Sequence, residues 1–313
     1  MKTNISIAMI GGRGFVGQEI ISILNNHPTF MLTKVFSKTA EDEVVVGYKK
    51  SLNLKYSLLD ISNLKLEDVD IVIMALANDE SRPYIKIIKK DYPNIIFIDL
   101  SADNRLDDSW DYRVPELSAK KATNFISNPG CYASAIQFSL APIKNIILGR
   151  VSSIGISGYS GAGASPNEKN NPVNLKDNII PYSLTNHLHE QEVSKHCYKD
   201  ISFSPHVGNF FRGILITSHI QLKSSHTVKE ILAIFVNFYK NSKLIEVLTD
   251  VPMINKVTNT HKVLIGGISI DNSGTNLTVC CALDNLLKGA ATQVIQNLNS
   301  ASNLEELTGI DYE

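Results

Sequence analysis

The chain is short of the features that mark several common functional classes. Its 30 lysines and arginines are balanced by 31 acids, a formal net charge of -1 over 313 residues. These charges nowhere gather into a basic stripe or a like-charge block, so a surface that tracks a phosphodiester backbone is not expected. No apolar run is long enough to span a bilayer, which argues against a membrane partner. Only four cysteines occur, Cys131, Cys197, Cys280 and Cys281, without CxxC spacing or a disulfide framework, and no metal-ligand set is read in the chain. There is no internal repeat and no low-complexity linker. The sequence enters a strand-like run directly after Met1-Lys2-Thr3-Asn4. No signal or transit peptide is therefore expected, and a cytoplasmic location follows as the default. The length suggests two domains, and the composition agrees with a soluble enzyme.

Of the four cysteines, Cys131 carries the most information. Pro129 and Gly130 punctuate a turn, and the run from Cys131 to Ala141 is helix-compatible until Pro142 closes it. A thiol at a helix N-terminus meets unpaired N–H groups and the positive end of the helix dipole, which favour the thiolate. The competing reading is a small buried hydrophobe.

Near the N-terminus, the strand-like run Ile5–Ile10 feeds Gly11-Gly12-Arg13-Gly14-Phe15-Val16-Gly17 and a helix-like segment from Gln18 to Asn26. Strand, glycine turn and helix in that order suit dinucleotide binding, although an ordinary βα turn has the same outline. The next strand-like run ends in Ser37-Lys38, about twenty residues past the last glycine, where a carboxylate would select NAD. A hydroxyl and an ammonium there favour NADP, with Glu41, Asp42 and Glu43 close behind. Continuous apolar runs at 70–76 and 94–100 read as buried parallel strands. The loops that follow them, beginning at Ala77 and Ser101, are expected to edge the cofactor.

After about residue 145 the texture changes to alternating strands, at 154–157, 203–204, 214–222, 263–270 and 275–283, with helices at 228–239 and 285–299. The fold class is α/β: a Rossmann-type dinucleotide-binding domain, residues 1–130 plus 286–313, and a second α+β domain with a mostly antiparallel sheet, residues 131–285. In the second domain, His187 and His189 straddle a helix start rather than share a helix face. Glu192, three residues after His189, lies on the same helical turn and can orient its imidazole. A solvated polar helix start is the alternative. Arg212, before a glycine and a strand, could clamp a substrate carboxylate or phosphate with two parallel hydrogen bonds, or sit in a surface ion pair.

The glycine loop, Asp99-Leu100-Ser101-Ala102-Asp103, Asn128-Pro129-Gly130-Cys131-Tyr132-Ala133, Gly158-Tyr159-Ser160-Gly161-Ala162-Gly163, His187-Leu188-His189, Arg212-Gly213 and Asp284 to Ala291 occur in this order. Together they resemble the N-acetyl-gamma-glutamyl-phosphate reductases of arginine biosynthesis over nearly the whole chain. The stretches 166–171 and 178–185 are closer to the form found in fungal bifunctional proteins. The resemblance departs at Arg113, at Asn104 and at Ser134, which stands where threonine is usual. It implies NADPH as cofactor and an acyl phosphate as substrate, reduced through a cysteine thioester on Cys131. It further implies His189 as acid and base with His187 as the competing assignment, Gly161 and Asn285 beside the cofactor, and Ser160, Arg212 and Arg105 on the substrate. A homodimer or homotetramer is implied too. Aspartate-semialdehyde dehydrogenase, aminoadipyl-phosphate reductase and a non-catalytic NADP-binding redox sensor are the alternatives.

Overall fold

A computed structural model of the chain describes residues 4–312. It divides into two units, one running to Pro129 and resuming over Ala290–Asp311, the other spanning Gly130–Gly289 with Tyr312.

The first unit is built on strands β1 (Ile5–Ile10), β2 (Phe30–Ser37), β3 (Tyr56–Leu58), β4 (Ile71–Met74), β5 (Ile96–Asp99), β6 (Asp111–Tyr112) and β7 (Phe125–Ser127), with helices α1 (Phe15–Asn26) and α2 (Arg82–Asp91). The sheet order is β3-β2-β1-β4-β5-β7-β6, and every pairing is parallel. All four residues of β4 are buried, as a strand covered on both faces requires. The order reverses at β1, which lies between β2 and β4. The crevice beyond the carboxyl ends at such a switch point is where open α/β sheets bind ligands. The glycine loop, Ser37-Lys38, Ala77 and Ser101 all follow carboxyl ends of these strands.

The second unit opens with α3 (Cys131–Leu140) and β8 (Val151–Gly158), continues through α4 (Pro172–Leu175), β9 (Ile179–Pro181), α5 (Leu188–His196), β10 (Ile201–Gly208) and β11 (Ile214–Gln221), and closes with α6 (Val228–Tyr239), β12 (Ile245–Val247), β13 (Val263–Ile270) and β14 (Asn276–Leu283). The order is β12-β13-β14-β11-β8-β10-β9. Four joints are antiparallel. The joints β8–β10 and β12–β13 are parallel. The sheet is thus mostly antiparallel with two exceptions. The first follows from the long crossover through α4, β9 and α5, which lets β10 return beside β8 in the same direction. Every residue of α3 from Tyr132 to Leu140 is buried. A helix buried on all sides is a core element, and that burial fixes the residue at its start.

The segment read as one helix at 285–299 is a π-helical turn at Leu287–Ala291 followed by α7 (Thr292–Ala301). Helix α7 belongs to the first unit, where Asn299 meets His27. The His27 Nδ1 accepts the N–H groups of Thr29 at 3.2 Å and Phe30 at 2.9 Å, so Nε2 carries the proton and donates to Asn299 Oδ1 at 2.8 Å. The ring stacks on Phe30 at 4.0 Å. Gly309, at φ +77, lets the C-terminal segment cross it, since a Cβ there would lie 2.4 Å from His27 Cδ2.

Burial lowers the His27 pKa from 6.5 to about 4. Above pH 6.5 the ring is neutral folded and unfolded, so it adds no pH dependence. As the pH falls from 6.5 toward 4, only the unfolded chain takes up the proton, and stability drops by on the order of 3 kcal/mol. His27→Gln, which keeps a donor toward Asn299, is expected to flatten this acid limb. Denaturant midpoints of both proteins between pH 7.5 and 4.5 check it; parallel curves would remove His27 as the cause.

Candidate active site

Steric necessity explains the glycine loop. Gly11 has φ +90, and a Cβ on it would lie 2.3 Å from the Ala75 carbonyl oxygen. A Cβ on Gly17 would lie 2.7 Å from the Gly12 oxygen, so helix and loop could not close. Gln18 Nε2 donates to the same Gly12 oxygen at 2.8 Å. Gly14 is the N-cap of α1 and supplies no side-chain cap, leaving the helix entrance open. Phe15, Val16 and Gly17 form the first turn. A backbone cradle at the positive end of a helix fits a pyrophosphate.

At the end of β2, Ser37 is buried and its Oγ accepts the N–H groups of Thr39 and Ala40, both at 3.2 Å, so it shapes the turn. Lys38 projects into a 2.8 Å ion pair with Glu80. Arg13 reaches the same turn, donating to Thr39 Oγ1 at 3.2 Å, with Glu43 3.9 Å away. Two half-exposed cations therefore flank this turn. Beyond β4 and β5, Ala102 donates its N–H to Asn78 Oδ1 at 2.9 Å, tying the Ala77 and Ser101 loops together. Ser101 donates through Oγ to the buried Asp99 at 2.8 Å. Burial pushes the Asp99 carboxyl up. Arg105 is buried and donates to the carbonyls of Asn128 at 2.9 Å and Leu100 at 2.7 Å, which makes it a tie between loops of the first unit.

In the second unit Cys131 is the first residue of α3, half-buried, with Gly130 as N-cap. Gly289 lies flat against it, since a Cβ there would come within 2.8 Å of Cys131 Cβ. The Gly130 N–H donates to Glu192 Oε2 at 2.9 Å. The other oxygen of the buried Glu192 lies 3.8 Å from His189 Nε2, one helical turn away on α5. His187 is the N-cap of α5: its Nδ1 accepts the His189 N–H at 3.1 Å. Burial lowers its pKa to about 4, with Lys169 adding to the effect and Glu192 opposing it. His187 is thus a neutral capping ring, while His189 faces a carboxylate. The rings of His187 and His189 meet at 4.8 Å, and both pack on Tyr132, at 6.4 and 5.8 Å.

Tyr132 and Asp284 are structural determinants that residue patterns gave no reason to single out. Tyr132 donates its hydroxyl to the His206 carbonyl at 2.6 Å. Its ring occupies the space a side chain at Gly155 would need, a Cβ there lying 2.5 Å from Tyr132 Cε1. Asp284 is fully buried and receives Arg212 in a fork, Nε to Oδ2 at 2.6 Å and Nη2 to Oδ1 at 2.9 Å. It also accepts N–H groups from Asn259, Leu286 and Leu287. Arg212 is therefore oriented by an internal, fully buried carboxylate. Asn285 accepts the Gly213 N–H at 2.6 Å and donates to Ser160 Oγ at 2.9 Å. Gly161 borders the same bracket, a Cβ there lying 3.0 Å from Ser157 Oγ.

Comparison with known proteins gives this arrangement a family. Residues 6–125 match the family model described as semialdehyde dehydrogenase, NAD binding domain. Residues 131–285 match the one described as semialdehyde dehydrogenase, dimerisation domain. The chain belongs to the semialdehyde dehydrogenase family. Its relatives include the N-acetyl-gamma-glutamyl-phosphate reductase of Xanthomonas campestris, 40% identical over 309 residues, 97% of this chain and 98% of that protein. The reductase of the same name from Xylella fastidiosa is 39% identical over 312 residues, 98% of this chain and 95% of that protein. A mitochondrial protein of Candida albicans is 41% identical over 318 residues, 98% of this chain but 37% of that longer protein. Within the family the chain groups with the N-acetyl-gamma-glutamyl-phosphate reductases. Aspartate semialdehyde dehydrogenase II of Vibrio cholerae superposes with TM-score 0.78 at 17% identity, covering 96% of this chain and 98% of that one. The Candida albicans enzyme, solved with NADP, gives 0.74 at 13%, covering 96% and 99%. These identities establish a shared fold, the two-part α/β and mostly antiparallel architecture expected from the sequence. No helix among the described residues is long and apolar enough to cross a membrane.

Glu192→Gln retains an oxygen for Gly130 and removes the charge facing His189. Loss of that charge is expected to lower the His189 pKa, because the imidazolium loses its counterion. NMR titration of the imidazole in both proteins measures it, and an unmoved or raised pKa would show that the carboxylate does not act on His189.

Proposed function

We propose that this chain reduces N-acetyl-gamma-glutamyl phosphate to N-acetylglutamate 5-semialdehyde with NADPH, releasing phosphate, as a step of arginine biosynthesis. The observation that carries the reading is the thiol at the start of a rigid buried helix, its preceding amide held by the same carboxylate that faces His189. A thiolate is favoured there by the helix dipole. It attacks the acyl carbon, the carbon–oxygen bond to phosphate breaks, and a thioester on Cys131 results. His189 takes the thiol proton and returns it to the departing phosphate oxygen. NADPH, when bound, supplies the hydride that reduces the thioester carbon. The resulting thiohemiacetal oxyanion is stabilised by N–H groups of the first turn of α3 other than that of Gly130, which Glu192 occupies. Cleavage of the carbon–sulfur bond then releases the aldehyde and restores the thiolate.

His187 serves in this scheme as the cap that orients His189, since its Nδ1 accepts the His189 N–H and burial keeps the ring neutral. The glycine loop cradles the pyrophosphate. Arg13 and Lys38, exchanging Glu43 and Glu80 for a phosphate, bind the 2′-phosphate that distinguishes NADP. Ala77 and Ser101 border the cofactor. Ser160 and Arg212 face the substrate, Arg212 from an orientation set by Asp284. Arg105 contributes by holding the Leu100 and Asn128 loops. The description of the second matched domain as a dimerisation domain supports a homodimer or homotetramer. A cytoplasmic setting suits an enzyme of amino-acid synthesis.

Cys131→Ser is expected to bind NADP as the parent does and to lose nearly all turnover. His189→Asn is expected to lose roughly a hundredfold in kcat, the usual scale for general acid–base catalysis. His187→Asn keeps a side chain able to cap α5 and acts mainly on KM. Steady-state kinetics with cofactor titration ranks the three; a larger kcat loss in His187→Asn than in His189→Asn would exchange the histidines' roles.

A further inference from the structure

Residues 163–178, between β8 and β9, are largely exposed, with Leu175 buried at 1%. Asparagines hold this loop in place of a hydrophobic core. Asn167 Nδ2 donates to the carbonyls of Ala162 at 3.1 Å and Ser165 at 2.9 Å. Asn170 Nδ2 donates to those of Gly163 at 3.0 Å and Ser165 at 2.8 Å, while its Oδ1 accepts the Asn167 N–H at 2.7 Å. Asn167 Oδ1 then accepts the N–H of Lys169 at 3.0 Å. This meshwork holds the backbone from Ala162 to Asn170, and with it the attachment point of the Lys169 side chain.

Lys169 leads toward Cys131. Its ammonium lies 4.6 Å from the centre of the Tyr182 ring. Tyr182 packs edge-on to His187 at 5.6 Å, and His187 meets both His189 and Tyr132, the residue after Cys131. Burial and the nearby Cys131 thiolate push the Tyr182 phenol up, and the Lys169 charge helps to keep His187 neutral. Each of the two guanidinium groups read from the sequence as substrate ligands already spends two donor nitrogens inside the protein, Arg212 on Asp284 and Arg105 on two carbonyls. What Lys169 faces is a π surface. An ammonium over tyrosine gains on the order of 1 kcal/mol. A charge-assisted contact with an oxyanion in the same half-buried setting gains more.

We infer that Lys169 is the anion anchor of this active site, held on the face of Tyr182 so that its ammonium takes an oxyanion of the substrate. The inference rests on the acyl-phosphate reading above. The oxyanion is either the phosphate or the carboxylate of the acyl moiety, and the reverse reaction separates them, because the aldehyde carries the carboxylate and phosphate is a separate reactant. With N-acetylglutamate 5-semialdehyde, inorganic phosphate and NADP, Lys169→Met is expected to raise one of the two anion KM values about tenfold or more, equivalent to about 1.4 kcal/mol. The KM for NADP and the melting temperature are expected to stay unchanged, and Lys169→Arg to restore part of the loss. A rise for phosphate assigns the ammonium to the phosphate, a rise for the aldehyde to the carboxylate. Unchanged anion KM values, or a loss confined to kcat, would overturn the inference while the parent enzyme stays active. An inactive parent would instead overturn the acyl-phosphate reading. In that case protection of Cys131 from iodoacetamide still tests Lys169: phosphate or N-acetylglutamate should protect the parent and not Lys169→Met, and equal protection of both would sink the inference.

Discussion

A single buried carboxylate, Glu192, connects the two groups on which the chemistry depends. One oxygen accepts the N–H of Gly130, the cap of the helix that begins with Cys131, and the other faces His189 from 3.8 Å. Removing the side chain would leave a buried amide unsatisfied, at a cost of about 1 to 3 kcal/mol, and would unfasten the turn that aims the sulfur. The same deletion would take the counterion from the imidazole. Nucleophile and base thus share one point of reference, and the burial of Tyr132 to Leu140 keeps that point from drifting.

A second constraint is steric. Gly11 and Gly17 admit no Cβ because loop and helix pass at backbone contact, and that contact shapes the cradle at the start of α1. Gly155 and Gly289 do the same in the second unit, one yielding space to the Tyr132 ring and the other to Cys131. Aromatic rings extend from Tyr132 through His187 to Tyr182, so the polar atoms of the site are positioned by packing as much as by hydrogen bonds.

The fold was legible where a residue pattern has one physical cause. Continuous apolar runs became β4 and β5, and the boundaries 228–239 of α6 agree with the capping box that Thr227 and Glu230 form. The short strands β3, β6, β7, β9 and β12 are not legible, since two or three residues carry no periodicity to read. At the site, the three-residue spacing of His189 and Glu192 was visible because it is local to one helical turn. The second partner of Glu192, Gly130, lies 62 residues away and no spacing encodes it. Likewise the sequence could offer Arg212 as a fork for an anion, but not that Asp284, 72 residues on, would fill it. Lys169 is hidden for a related reason: no spacing encodes how an irregular loop lays its ammonium over Tyr182, thirteen residues further on.

The claim at the centre of this account is that Cys131 accepts the acyl group before any reduction occurs. It is tested by mixing the enzyme with N-acetyl-gamma-glutamyl phosphate in the absence of NADPH, quenching in acid, and measuring released phosphate together with the intact mass and its digest. The account predicts a burst approaching one phosphate per active chain and an N-acetylglutamyl adduct on the peptide containing Cys131, absent in Cys131→Ser. Phosphate release that waits for NADPH, or an adduct on another residue, would contradict it.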